Sequence, residues 1–242
     1  MIFDQSEYEI KCEWGINGIE ILSPVSDVII IVDVLSFSTS VDIAVNNGAT
    51  VIPYLYDNGK AFDFSLSVNA VLAERDRNVP GKFSLSPSSL INIPRHTRLV
   101  LPSPNGSSLS LSAGNTLTLC GCIRNAEAVA YFAMSKGKRI SVIPAGEKWP
   151  DGSLRPALED IAGSGAVISY LKGKLSPESN ASVAVYREIK NELLVQINNS
   201  SSGKELIERG FETDVDLACQ LNVSSSVPGL VNGEYIDLSV GI

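Results

Sequence analysis

Apolar runs set off by small and polar residues divide the chain into short alternating strands and helices. Val28 to Val32 is continuous, apolar and mostly β-branched, the pattern of a strand buried on both faces. From Thr39 to Asn47, residues Val41, Ala44 and Val45 fall at helical spacing, and Gly48 supplies a stop. Thr50 to Tyr54 is the next strand, so this stretch reads as a βαβ unit with a parallel pair and a right-handed crossover. Glu9 to Trp14 reads as a first strand ending at Gly15.

The next segment is less regular. Val68 to Ala73 suits a strand ending at Glu74-Arg75, and Asp76 to Lys82 a loop. Serine and leucine alternate around Phe83 to Leu90, which fits either extended chain or a short helix from Pro87. Arg98 to Leu101 is a strand. In Gly106 to Ala113 the period favours a strand, but the place between two strands favours a helix. Leu117 to Cys120 and Arg139 to Ile143 are strands, and between them Asn125 can cap a helix carrying Ala126, Val129, Ala130 and Ala133. Arg155 to Leu171 is the longest helical pattern, with Glu159 and Asp160 in its first turns, where the helix dipole favours acids. Helical pieces follow at Ser182 to Asn198, Gly203 to Arg209 (started by the preceding serines) and Thr213 to Leu221, and strands close the chain over Val227 to Leu238. No repeat or linker interrupts the 242 residues, so the expectation is one α/β domain, residues 1–242, layered α/β/α around a largely parallel or mixed central sheet.

Composition narrows the partners. A net charge of −8 disfavours nucleic acid, whose affinity comes mostly from lysine and arginine on phosphates. A small anionic substrate remains open, provided a metal ion, a local arginine or a helix N-terminus offsets the surrounding field. The four cysteines, Cys12, Cys120, Cys122 and Cys219, are too few and too scattered for a disulfide framework, and Cys120-Gly121-Cys122 lacks the second pair a zinc site needs. The acidic start, with Asp4, Glu7 and Glu9, does not resemble a signal peptide, and no run reaches membrane-spanning length. A cytoplasmic location with no membrane partner is expected, and a homodimer is the commonest assembly of such chains.

Two strand ends carry the candidate chemistry. Val28 to Val32 runs into Asp33, then Ser36, Ser38 and Thr39; Leu99 to Leu101 runs into Asn105-Gly106-Ser107. In open α/β sheets ligands bind beyond the carboxyl ends of strands. An acid directly after a buried strand must be solvated, paired or metal-bound, or cap the helix that follows. The hydroxyls suit either helix capping or phosphate oxygens, and the glycine lets a ligand approach backbone. Arg75 and Arg124 suit bidentate binding of phosphate, carboxylate or sulfonate. Glu147, Glu159 and Asp160 could join Asp33 around a hard divalent cation such as Mg²⁺. His96, the single histidine, stands in a turn-like segment with no triad partner in view, and no phosphate-binding glycine loop is present.

With those residues in place, the chain resembles the 2-phosphosulfolactate phosphatase (ComB-like) family. The carriers are Ile30 to Thr39 with Val45 to Ala49, Leu72-Ala73-Glu74-Arg75, Phe83 to Pro87, Pro104 to Ser107, Gly121 to Ala126, and Ala145-Gly146 with Leu158-Glu159-Asp160. The resemblance implies the α/β fold of that family and Mg²⁺-dependent hydrolysis of a phosphate monoester of a small acid. It implies Asp33, Glu74 and Arg124 as catalytic residues, with Asp33, Glu159 and Asp160 on the metal. Substrate binding would fall to Ser36, Ser38, Thr39, Arg75, Asn105, Gly106, Ser107 and Asn125. Three departures stand out: Ser36 occupies the place of an arginine, Ser84-Leu85-Ser86 lacks a Gly-Asn pair, and Asp76-Arg77-Asn78 replaces a glycine-rich stretch. Loss of an anion-binding arginine removes a charge-assisted contact. The alternative is therefore a catalytically silent relative that binds a small anion or a protein partner.

Overall fold

The computed structural model describes residues 2–56 and 59–239. The chain runs β1 (Ile10–Cys12), α1 (Gly15–Leu22), β2 (Val28–Val32), α2 (Phe37–Asn46), β3 (Thr50–Leu55), α3 (Ala61–Ser67), β4 (Val71–Leu72), β5 (Arg98–Ser103), α4 (Gly106–Ser112), β6 (Leu117–Gly121), α5 (Ala126–Lys136) and β7 (Ile140–Pro144). A small hairpin of β8 (Glu147–Lys148) and β9 (Leu154–Arg155) leads into α6 (Leu158–Ile168), α7 (Pro177–Ile189), α8 (Leu193–Asn198), α9 (Ser201–Glu208) and α10 (Glu212–Ala218). Strands β10 (Pro228–Val231) and β11 (Glu234–Asp237) are the last elements of the described residues.

The unbroken apolar character of β2 follows from its position. Val28, Ile30 and Val32 pack with Val129 of α5 and Ala162 and Ala166 of α6. Ile29 and Ile31 point the other way, onto Ile19 and Leu22 of α1 and Leu109 of α4. Side chains alternate across a strand, so a strand covered on both sides has no polar positions to spare. Each such burial contributes roughly 1.5–3 kcal/mol. The result is a mixed sheet between two helical layers, as expected from the sequence.

The nine-stranded sheet has the order β1-β7-β2-β6-β10-β11-β3-β5-β4. Strands β1, β7, β2 and β6 form one parallel block, and β3, β5 and β4 another. The β10–β11 hairpin joins them through three antiparallel pairings. This corrects the expected βαβ pair: β2 pairs with β6 and β7, not with β3, because a hairpin from the far end of the chain occupies the place between the blocks. Three successive antiparallel pairings make β3, β5 and β4 run opposite in direction to β2. The chain beyond β5 still returns to the end of β2, where the Gly106 N–H donates to the Asp33 carboxylate.

Other expectations shift locally. The 68–73 strand shrinks to Val71–Leu72, because α3 holds the chain through Ser67. The 155–171 helix begins only at Leu158, since Leu154 and Arg155 pair with the strand carrying Glu147. The 182–198 helix is two helices, α7 and α8. Gly106–Ser112 is helical, and a 3-10 turn forms at Pro87–Leu90. Asn125 does not cap α5; its Oδ1 accepts from Cys122 N at 2.8 Å, closing the turn before that helix. Ser200 does cap α9, accepting from Gly203 N at 3.1 Å.

Candidate active site

Asp33 follows β2 and is 4% exposed. Its carboxylate is gripped from two elements: Oδ1 accepts from Phe37 N at the start of α2 (3.2 Å), and Oδ2 from Gly106 N at the start of α4 (2.8 Å). The second bond is the direct meeting of the two strand ends singled out from the sequence. It requires glycine at 106, where an added Cβ would lie 2.2 Å from Phe37 Cδ1. Burial pushes the Asp33 carboxyl up to about 6 despite these donors.

Beside it lies a cavity of about 200 Å³. Asp33, Ser103, Asn105 and Glu147 form one wall; Glu74, Arg75 and Arg77 come from the loop after β4, and Glu205 and Arg209 from α9 and its end. Glu147 reaches the cavity because Gly146, at φ +68°, turns the chain out of β7 into the small hairpin. Asn105 Nδ2 donates to Glu147 Oε2 at 2.9 Å and so holds it. Burial, reinforced by the charge of Asp33, pushes the Glu147 carboxyl up to about 7.

Several candidates stand outside this cavity. Ser38 and Thr39 are fully buried, and their hydroxyls donate to the Ile31 and Val34 carbonyls. Ser107 Oγ donates to Leu101 O at 2.9 Å. These three shape the turns around Asp33 and present no hydroxyl to the cavity. Asp160 accepts from Val34 N and from Gly146 N, each at 2.8 Å, tying together the loops after β2 and β7; its carboxyl is raised well above the usual range by burial. Neither Glu159 nor Asp160 lines the cavity. Arg124 pairs with Asp42 at 3.0 Å and donates to Gln220, and neither it nor the neighbouring Asn125 lines the cavity. His96 is exposed in a turn, as expected.

Arg77 was missed as a site residue. Its one signal was a second arginine two positions after Arg75, directly beyond a strand. Its Nη1 donates to Ser36 Oγ at 3.0 Å, so a guanidinium reaches position 36 from another segment. Arg75 lies over the Tyr56 ring, 4.8 Å from its centroid, and donates to the Tyr56 carbonyl. Glu205 and Arg209 pair with each other at 3.2 Å, far along the chain, with no local pattern to mark them.

Among the described residues no group of three or more His, Cys, Asp or Glu side chains is arranged to hold a metal ion. Asp33 and Glu147 nevertheless face one cavity, and Mg²⁺ commonly takes one or two carboxylates, completing its shell with water and substrate phosphate. Burial raises the proton affinity of both carboxyls, and the charge of Asp33 adds to the rise at Glu147. Of the acids the sequence offers for a metal, Asp33 and Glu147 line the cavity, and Glu159 and Asp160 do not.

Fold and site together define an α/β protein with a carboxylate- and arginine-lined cavity at the meeting of two parallel blocks. Comparison with known proteins makes the class specific: the chain belongs to the 2-phosphosulpholactate phosphatase family, whose model matches residues 20–233. It is 30% identical over 206 residues to the 2-phosphosulfolactate phosphatase of Methanothermobacter thermautotrophicus, covering 84% of this chain and 86% of that one. It is 29% identical over 227 residues (87% and 91%) to a Thermosynechococcus vestitus protein named "Probable 2-phosphosulfolactate phosphatase". A protein of the same name from Carboxydothermus hydrogenoformans is 30% identical over 210 residues (83% and 84%).

Proposed function

We propose that this chain hydrolyses the phosphate monoester of a small acid of the 2-phosphosulfolactate type, with Mg²⁺ as cofactor. The observation that carries the reading is the convergence of Asp33, Asn105 and Glu147 on one cavity also lined by arginine. Asp33 and Glu147 would hold the metal; when bound, it neutralises phosphate oxygens and makes water a better nucleophile. Two backbone N–H groups fix the Asp33 carboxylate, and Asn105 fixes Glu147, so neither need reorganise during reaction. Arg75 and Arg209 stand at the cavity rim, suited to the acid end of the substrate. Water attacks phosphorus, the P–O ester bond breaks, and inorganic phosphate and the hydroxy acid leave. With both Asp33 oxygens already held by backbone N–H groups, direct attack by water is favoured over a phosphorylated aspartate.

All four cysteines are free thiols, in keeping with a reducing cytoplasm. Among the described residues no helix is long and apolar enough to cross a membrane. The test is phosphate release from 2-phosphosulfolactate and related phosphorylated acids, with Mg²⁺ and with EDTA. Turnover that EDTA abolishes and Mg²⁺ restores is expected; a folded sample with no turnover on any of them refutes the reading.

A further inference from the structure

Arg77 enters the cavity from the loop after β4, and its neighbours fix where its charge sits. Its Nη1 donates to Ser36 Oγ at 3.0 Å and lies 3.6 Å from Asp214 Oδ2. The Arg77 side chain is 11% exposed, and that of Asp214, on α10, is fully buried. Asp214 is itself held: Ser86 Oγ donates to it at 2.6 Å and Ser88 N at 3.0 Å. The Phe211 ring centroid lies 5.8 Å from the guanidinium carbon and covers another side.

Among the described residues, every hydrogen bond and ion pair of this guanidinium runs through Nη1. None of its other nitrogens is buried without a partner. The surface this side chain offers is the cavity wall. A planar fork of five donors, anchored at one corner and with its other nitrogens free of protein partners, matches the oxygens of a phosphoryl group. Its anchor, Ser36, stands three residues after Asp33 in the same loop. Arg75 and Arg209 are more exposed and lie further out.

We propose that Arg77 binds the transferring phosphoryl group beside Asp33, and that Asp214 is the positioning residue that aims it. This rests on the phosphatase reading above. A guanidinium already held in place strengthens its contact as charge grows on the phosphoryl oxygens, without rearrangement.

The experiment uses the full chain with Mg²⁺ as wild type, Arg77→Gln, Arg77→Lys and Asp214→Asn. Inorganic phosphate binding is measured by calorimetry, kcat and KM on a phosphorylated small acid, and folding by thermal melts. Arg77→Gln is expected to weaken phosphate binding by roughly ten- to a hundredfold and to lower kcat/KM at least as far. Arg77→Lys keeps the charge without the fork and falls between. Asp214→Asn weakens phosphate binding by a smaller factor, because the guanidinium stays but is less well held.

A merely structural arginine would lower the melting temperature and leave the phosphate affinity of the folded protein alone. Folded Arg77→Gln binding phosphate within twofold of wild type overturns the assignment; if that variant does not fold, the same result for Arg77→Lys does so. Unchanged binding in Asp214→Asn overturns the positioning role. Wild type that neither binds nor hydrolyses phosphate esters overturns the phosphatase reading and this one with it. Active wild type with unaffected Arg77 variants overturns only this one.

Discussion

Gly106→Ala tests the joint that builds the site. In most helices this change is favourable by up to about 1 kcal/mol, because alanine restricts the unfolded chain. Here the new methyl would sit 2.2, 2.5 and 2.7 Å from three carbons of Phe37, all well inside the 3.4–4 Å of ordinary contact. Phe37 has nowhere to go: it is fully buried, packs edge-on to Tyr235 at 6.1 Å, and its own N–H holds Asp33. The clash therefore drives the starts of α2 and α4 apart, and those are the two segments that grip the Asp33 carboxylate. Overpacking costs about 1–3 kcal/mol, and losing the Gly106 N–H bond to a charged acceptor about 1.5–3 kcal/mol more. The steric and hydrogen-bond terms outweigh propensity, so the sign is destabilising, about 2–5 kcal/mol in total. At about 2–4 °C per kcal/mol the melting temperature falls by roughly 10 °C. Misplacing Asp33 by even about 1 Å lowers kcat/KM by roughly a hundredfold. Thermal melts and steady-state kinetics measure both, with Ser108→Ala, on the partly exposed face of the same helix, expected within about 0.5 kcal/mol of wild type. A Gly106→Ala protein that melts within about 2 °C of wild type with kcat/KM intact would refute this account of the joint.

Four further outcomes are expected. Asp33→Asn lowers kcat/KM at least roughly a hundredfold, about 2.7 kcal/mol in the barrier, and kinetics at saturating Mg²⁺ check it. Phosphoryl-labelled substrate leaves no label on the protein under turnover; label found on Asp33 would make it the nucleophile instead. Glu147 titrates near 7 in the fold against an ordinary 4.5, so the fold favours its protonated form. Its contribution to stability is complete below about pH 4.5 and lost as pH rises through 7. In EDTA-treated protein, Glu147→Gln should thus be more stable than wild type at pH 8, by at most about 3 kcal/mol, and not at pH 4.5; melts at both values decide. Asp160→Asn turns an amide N–H₂ toward either Val34 N or Gly146 N, costing about 1–3 kcal/mol in chemical denaturation.

Local chemistry was enough to read the apolar run of β2, the acid at its end and the Asn-Gly pair after β5, because each carries its signal within a few residues. The unbroken Val28 to Val32 stretch has the pattern of a strand covered on both faces, and a carboxyl after it must be solvated, paired, metal-bound or capping the next helix. Where those donors came from was a long-range matter: Phe37 is four residues away, Gly106 is 73. The seat between the two parallel blocks went to a hairpin from residues 228–237, which no local period around β2 or β3 could announce. The same holds for the division of labour among the polar residues. Ser38, Thr39, Ser107 and Asp160 resemble ligand groups in sequence, yet packing leaves their nearest partners as backbone, while Arg77 and Glu147 reach the cavity. A side chain's type is written in the chain, but the atoms within hydrogen-bonding distance of it are set by how the layers close.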